Sequence, residues 1–213
     1  MYTDRADAGR ALASAASGFE AVDPLVLAIP RGGVVVAREL AAALGADLDV
    51  VMAKKIGAPF NPEFAVAAVD PDGEIVTFPG TEWAASRDYV LEQAAIRKRD
   101  LEDSLIRFRA GRKEKPLAGR TVFLVDDGLA TGLTAIAAVQ YVRRRKPREI
   151  ILAVPVAPED TLNALRPLVD DAICPLRPPV FYAVSEWYIS FEQVDDQDVI
   201  KILEEYEAKI RGR

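Results

Sequence analysis

Phe123-Leu124-Val125-Asp126-Asp127-Gly128-Leu129-Ala130-Thr131-Gly132-Leu133-Thr134 sets two adjacent carboxylates after an apolar run and a glycine- and threonine-rich turn before the next helical pattern. Residues 121–125 read as a buried strand, 126–131 as a loop, and 132–145 as a helix closed by Arg143, Arg144 and Arg145, cations suited to the negative end of its dipole. Open α/β sheets bind ligands where a strand hands over to its helix. A helix start offers unpaired amides and a positive dipole end, Gly128 and Gly132 permit close backbone approach, and Thr131 and Thr134 add hydroxyls, so this half of the loop suits a phosphate. Asp126 and Asp127 can accept hydrogen bonds from two neighbouring hydroxyls a few ångströms away. Together the two halves describe a site for a ribose 5-phosphate.

Outward from this loop, the chain alternates strands and helices. Residues 24–37 are apolar except at Arg31; a strand over 25–29 ends at Pro30-Arg31-Gly32-Gly33 and an alanine-rich helix follows to Leu44. A second apolar strand is predicted over 49–56, carrying Lys54 and Lys55, then a loop marked by Gly57, Pro59, Asn61 and Pro62. Residues 66–69 and 74–78 suit a hairpin across Asp72-Gly73. Val90, Ala94, Leu101, Leu105 and Phe108 recur at helical spacing within 82–112, with Arg97, Lys98, Arg99, Asp100 and Glu102 on the opposite, solvated face. Strands over 149–156 and 171–176 flank a short helix at 160–168. Near-continuously apolar strands alternating with helices predict an α/β fold with a central parallel sheet of about five strands covered by helices. Residues 1–213 read as a single unit: a core at about 24–177, a flexible loop and inserted long helix at about 57–115, and a hood with a C-terminal helix at about 178–213.

Composition narrows the chemistry. Twenty-seven Lys and Arg against 33 Asp and Glu give a net charge of −6, which argues against a nucleic-acid partner and for a small molecule. Histidine is absent, so Ser-His-Asp and Cys-His nucleophile systems and histidine metal sites are excluded. Cys174 stands alone and cannot form an intrachain disulfide. Asp4, Arg5 and Asp7 stand where a signal peptide would need an apolar stretch, and no apolar run approaches membrane-spanning length, so a cytoplasmic protein without a membrane partner is expected. The loop is neither a Walker A motif, lacking Gly-Lys-Thr, nor a dinucleotide fingerprint, whose glycine spacing it fails.

The stretch 123–134 resembles the phosphoribosyl-pyrophosphate signature of the type I phosphoribosyltransferases, and the resemblance extends over about residues 24–156. It implies a transferase that moves ribose 5-phosphate from phosphoribosyl pyrophosphate to a nitrogenous base or related acceptor, with Mg2+ carried by the pyrophosphate. Asp126 and Asp127 would hold the ribose hydroxyls, with direct contact to the metal left open, and Gly128, Leu129, Ala130, Thr131, Gly132 and Thr134 the 5-phosphate. The turn Arg31-Gly32-Gly33 would bind pyrophosphate, with a basic residue from the next strand, Lys54 or Lys55; Arg31, Lys54, Asp126 and Asp127 are thus the expected catalytic set. A loop over 59–72 would close on the reaction centre and exclude water.

The acceptor is less defined. Hypoxanthine-type members carry a further acid where this chain has Ala130, which counts against a 6-oxopurine, and the expected acceptor pocket is the aromatic hood containing Phe181, Trp187 and Tyr188. The long helix suggests either a homo-oligomer contact or support for a lid. Because strand-end loops carry few packing contacts, Asp127→Asn is expected to impair turnover more than folding. The alternative function is a non-catalytic regulator that binds phosphoribosyl pyrophosphate or a nucleotide on the same scaffold.

Overall fold

The computed structural model describes residues 1–78 and 80–212; residue 213, included in the expected C-terminal unit, lies outside them. The elements run α1 (Arg5–Ala15), β1 (Leu25–Ala28), α2 (Gly33–Leu44), β2 (Asp47–Val50), β3 (Lys54–Ala58), β4 (Asn61–Val69), β5 (Ile75–Thr77), α3 (Arg87–Arg109), β6 (Thr121–Val125), α4 (Leu133–Arg144), β7 (Glu149–Ala153), α5 (Glu159–Leu165), β8 (Asp171–Ile173) and α6 (Asp196–Arg211). Five parallel strands form the central sheet in the order β2-β1-β6-β7-β8. The fold is therefore α/β, as the strand composition predicts.

β1 and β6 are buried at every position because both faces of the sheet are covered. Alternate side chains serve different layers: Val26, Ala28, Phe123 and Val125 pack with α2 and α6, while Leu25, Leu27, Val122 and Leu124 pack with α4. α1 lies against α2 so closely that a Cβ on Gly9 would stand 2.8 Å from the Val36 carbonyl oxygen. Its start is capped by Asp4, which accepts the Asp7 amide at 2.7 Å. Among the described residues no helix is long and apolar enough to cross a membrane.

The single strand expected over 49–56 is two strands in two sheets. After Val50 the chain leaves the parallel sheet, and β3 pairs antiparallel with β4, which pairs with β5. Residues 59–72, expected as a loop, are mostly β4, joined to β3 by a two-residue turn at Pro59 and Phe60. The proline and asparagine punctuation suggested a loop, but the alanines of β4 let this small sheet slide between two helices. One face packs Ile56, Val66 and Val69 beneath Ala94 of α3; the other packs Ala68 against Leu133 and Ala137 of α4. α3 also buries Leu101, Leu105 and Phe108 in the main core, so it braces the small sheet against the large one.

The β4–β5 turn is tied to the end of α4 by charge. Asp72 accepts from both Arg144 and Arg145 at 3.0 Å, and the hydrogen bond from Arg145 draws its pKa down to about 2. The sign follows from linkage: this carboxylate stabilises the fold above 3.8 and loses that contribution as pH falls towards about 2. Asp72→Asn is expected to flatten the acid limb of the stability curve over that window without changing stability differences above it; urea melts at pH 2.5 and pH 4 check this.

Candidate functional site

β6 ends at Val125, and the next two residues, Asp126 and Asp127, stand at the carboxyl edge of the sheet between two turns. One is Arg31-Gly32-Gly33, which leads from β1 into α2; the Pro30–Arg31 peptide is cis. The other is 128–132, which leads into α4. The Ile29 amide donates to the Val125 carbonyl at 2.7 Å, fixing the first turn beside the acid pair. A Cβ on Gly33 would stand 3.0 Å from the Val125 carbonyl oxygen and from Asp126 Cα, and one on Gly32 would overlap Asp127 Oδ2. Only glycine fits at 32.

This contact gives a direct expectation. Gly32→Ala should cost about 1–3 kcal/mol of stability, the usual range for forced overpacking, and, where the turn takes the pyrophosphate that the resemblance implies, weaken its binding at least about tenfold. Titration calorimetry with magnesium pyrophosphate and thermal melts would read both; an unchanged affinity would show that the turn does not face the ligand.

Hydrogen bonding divides the acid pair. Asp126 Oδ1 accepts the Asp127 amide at 2.8 Å, and Asp127 Oδ2 accepts Arg5 Nε at 2.7 Å. Asp126 Oδ2 and Asp127 Oδ1 receive no N–H donor among the described residues, and the two carboxyl groups lie close enough to interact with each other, so one oxygen on each is left for a vicinal pair of hydroxyls. Burial, reinforced by the neighbouring charge of Asp127, pushes the Asp126 carboxyl well above the usual carboxylate range; Lys55 and the Asp127 amide oppose this.

The amides complete the pattern. Those of Arg31, Gly32 and Gly33 on one side, and of Ala130, Thr131 and Gly132 on the other, donate to no protein atom among the described residues. Leu133 and Thr134 add the first-turn amides of α4. Two donor clusters thus flank a pair of carboxylates, an arrangement suited to a sugar carrying an anion at either end. Leu129 is not part of the cradle, since its amide donates to the Val156 carbonyl at 3.0 Å and its side chain is buried. Gly128 serves packing rather than ligand approach: a Cβ there would stand 2.7 Å from Val184 Cγ1 and 2.9 Å from Val156 Cγ1. Gly132 takes the left-handed conformation, φ 71°, that turns the chain into α4.

The two lysines separate. The Lys54 ammonium is 3.9 Å from Asp100 on α3, whereas the charge of Lys55 acts on Asp126. Arg31 is half-exposed, with Nη1 3.4 Å from Asp196 at the start of α6, and Asp196 also lies 3.4 Å from Arg107 of α3. No group of three or more metal-ligating side chains occurs among the described residues, so any metal here would take most of its ligands from a substrate or water.

In the hood, Tyr188 is buried and its hydroxyl donates to the Asp127 carbonyl. Burial drives its pKa well up, with further upward pressure from Asp127, which keeps it a neutral donor. Tyr188 therefore holds the acid loop instead of facing an acceptor. Phe181 and Trp187 stack at 6.2 Å, and the Trp187 indole nitrogen is buried without a partner. The composition-level reading of residues 1–8 missed the N-terminal segment's share in the site. Tyr2 and the hood exchange backbone hydrogen bonds of 2.8 Å to the Trp187 carbonyl and 2.9 Å from the Ile189 amide, and the Tyr2 hydroxyl donates to the Pro155 carbonyl at 2.9 Å. The local signal was Asp4 with Asp7 at capping spacing, which marks a helix start but not its destination.

The family model for the phosphoribosyl transferase domain matches residues 2–176. Proteins provisionally named phosphoribosyl transferases in two strains of Mycobacterium tuberculosis are 39% identical over 206 residues, 96% of this chain. The chain spans 46% of the length of those relatives. The crystal structure of the TT1426 protein of Thermus thermophilus is 43% identical and superposes with a TM-score of 0.82 over 96% of this chain and 98% of that one.

Proposed function

From the premise that this chain belongs to the phosphoribosyl transferase domain family, we propose that it transfers ribose 5-phosphate from phosphoribosyl pyrophosphate to a nitrogenous acceptor with release of pyrophosphate. The observation that carries this reading is the acid pair with one unclaimed oxygen on each carboxylate, set between two clusters of undonated amides. Residues 130–134 receive the 5-phosphate, Asp126 and Asp127 the two ribose hydroxyls, and Arg31, Gly32 and Gly33 with Lys55 the pyrophosphate. The bond from ribose C1 to the pyrophosphate oxygen breaks as the bond to the acceptor nitrogen forms, and the acceptor's proton passes to solvent. Charge builds on the leaving pyrophosphate, which the turn amides are free to receive and which Arg31 would meet by leaving its 3.4 Å pairing with Asp196.

Mg2+ fits the site, because it commonly takes one or two carboxylates together with substrate phosphates and water, and Asp126 and Asp127 offer two. When bound it supplies charge neutralisation to the pyrophosphate.

The test is release of pyrophosphate from phosphoribosyl pyrophosphate and Mg2+ across a panel of nitrogenous bases. Base-stimulated release is expected for at least one. Tight binding of phosphoribosyl pyrophosphate with no stimulated release by any acceptor would favour a regulatory sensor on the same scaffold, and no binding would end the proposal.

A further inference from the structure

Arg5, near the amino terminus and more than a hundred residues from the acid loop, is almost wholly covered, with its side chain 11% exposed. It is held on three sides. Nε donates to Asp127 Oδ2 at 2.7 Å, Nη1 donates to the Glu192 carbonyl at 2.6 Å, and the guanidinium lies 3.7 Å from the centre of the Phe191 ring. The pyrophosphate turn closes the fourth: a Cβ on Gly32 would come within 2.7 Å of Arg5 Nε. Four separate parts of the chain, α1, the hood, the Arg31–Gly33 turn and the acid loop, therefore meet on one guanidinium.

We infer that Arg5 is a positioning residue for the ribose. Its Nε donates to Oδ2 of Asp127 from a guanidinium that Glu192 and Phe191 hold in place, which restricts the carboxylate's rotation and leaves Oδ1 for a single sugar hydroxyl. This assignment rests on the proposed sugar-phosphate site. A carboxylate on the loop after β6 could otherwise rotate and offer either oxygen, and a displacement of about 1 Å at a reacting centre costs about two orders of magnitude in rate. Lysine is a poor replacement, because a single ammonium cannot hold Asp127, the Glu192 carbonyl and the Phe191 ring at once.

Binding selectivity separates positioning from mere scaffolding. Calorimetry would compare ribose 5-phosphate, its 2-deoxy and 3-deoxy analogues, and magnesium pyrophosphate on the wild type, R5Q, R5M and R5K. The wild type is expected to prefer ribose 5-phosphate over at least one deoxy sugar by about tenfold, an ordinary worth for one charge-assisted hydrogen bond. R5Q and R5M should lose most of that preference, R5K should recover part of it, and pyrophosphate affinity should change least. If R5Q and R5M do not fold, the partial preference of R5K decides the matter.

If every folded variant keeps the wild-type preference, the inference is overturned while the sugar-phosphate site stands. If the wild type itself binds neither ribose 5-phosphate nor phosphoribosyl pyrophosphate, the functional reading fails and takes the inference with it.

Discussion

Asn at position 126 is expected to make the protein more stable at neutral pH and about a hundredfold worse at binding phosphoribosyl pyrophosphate, while Asn at 127 should harm both properties. The fold holds the half-buried Asp126 carboxyl beside another acid, and desolvation with the neighbouring charge raises its pKa. A carboxyl whose folded pKa lies above its unfolded value costs stability progressively as pH rises beyond 3.8, because the folded state must give up a proton it favours. Asparagine keeps the oxygen that accepts the Asp127 amide and never ionises. A gain of about 1 kcal/mol corresponds to about 2–4 °C for a chain of this size. The melting temperatures of D126N and wild type should therefore coincide near pH 4 and diverge by pH 8, and an equal difference at both would refute the burial argument. The hundredfold loss of affinity reflects one charge-assisted hydrogen bond to a ribose hydroxyl, about 2–3 kcal/mol.

Asp127 behaves differently because Arg5 depends on it. The sequence suggested that Asp127→Asn would impair turnover more than folding, and the structure adds a substantial folding cost, because the variant leaves a guanidinium that is 11% exposed without its carboxylate. Breaking such a pair costs about 3–5 kcal/mol, although Glu192 still receives one of the Arg5 donors. Thermal melts of the two asparagine variants at one pH would show opposite signs; the same sign for both would contradict the geometry of the pair.

Arg144→Ala should produce the largest loss of stability away from the site. Asp70, at the end of β4, is fully buried, and Arg144 of α4 is its charge partner. Two amides, from Asp72 at 2.9 Å and Glu74 at 3.1 Å, also donate to it. Removing the guanidinium strands a buried charge, at about 3 kcal/mol given that Arg144 itself is partly exposed, or about 6–12 °C in melting temperature. The remedy is specific: Asp70→Asn keeps an oxygen for the two amides and removes the charge, so the double variant R144A/D70N should recover a substantial part of the loss. Chemical denaturation of the four proteins in a double-mutant cycle measures the coupling. Additive losses would mean that the Asp70–Arg144 pair contributes nothing to holding α4 on the small sheet, leaving that to the apolar contacts of Ala68, Leu133 and Ala137 and to the Asp72–Arg145 pair.

Local chemistry made much of this protein readable. Buried strands announce themselves by unbroken apolar runs, so β1, β6 and β7 stood out, and two adjacent acids followed by a Gly/Thr turn can sit usefully only where a strand meets a helix. The hairpin of β4 and β5 and the apolar face of α3 were legible for the same reason. The boundary between β2 and β3 was not, because leaving one sheet for another changes neighbours without changing residue type. Sequence could not choose between Lys54 and Lys55 either: adjacent strand residues face opposite ways, and α3 claims the first through Asp100.

The sequence by itself determined the α/β class, with its central parallel sheet of five strands and covering helices. Only the tertiary structure decided which oxygen of Asp127 is left for a sugar, that Tyr188 braces the loop, and that a helix at the start of the chain supplies Arg5. The physical reason is range. Periodicity, capping and turn chemistry act over a few residues and are written in order along the chain, whereas a guanidinium meeting a carboxylate 122 residues away is specified only by how the layers pack.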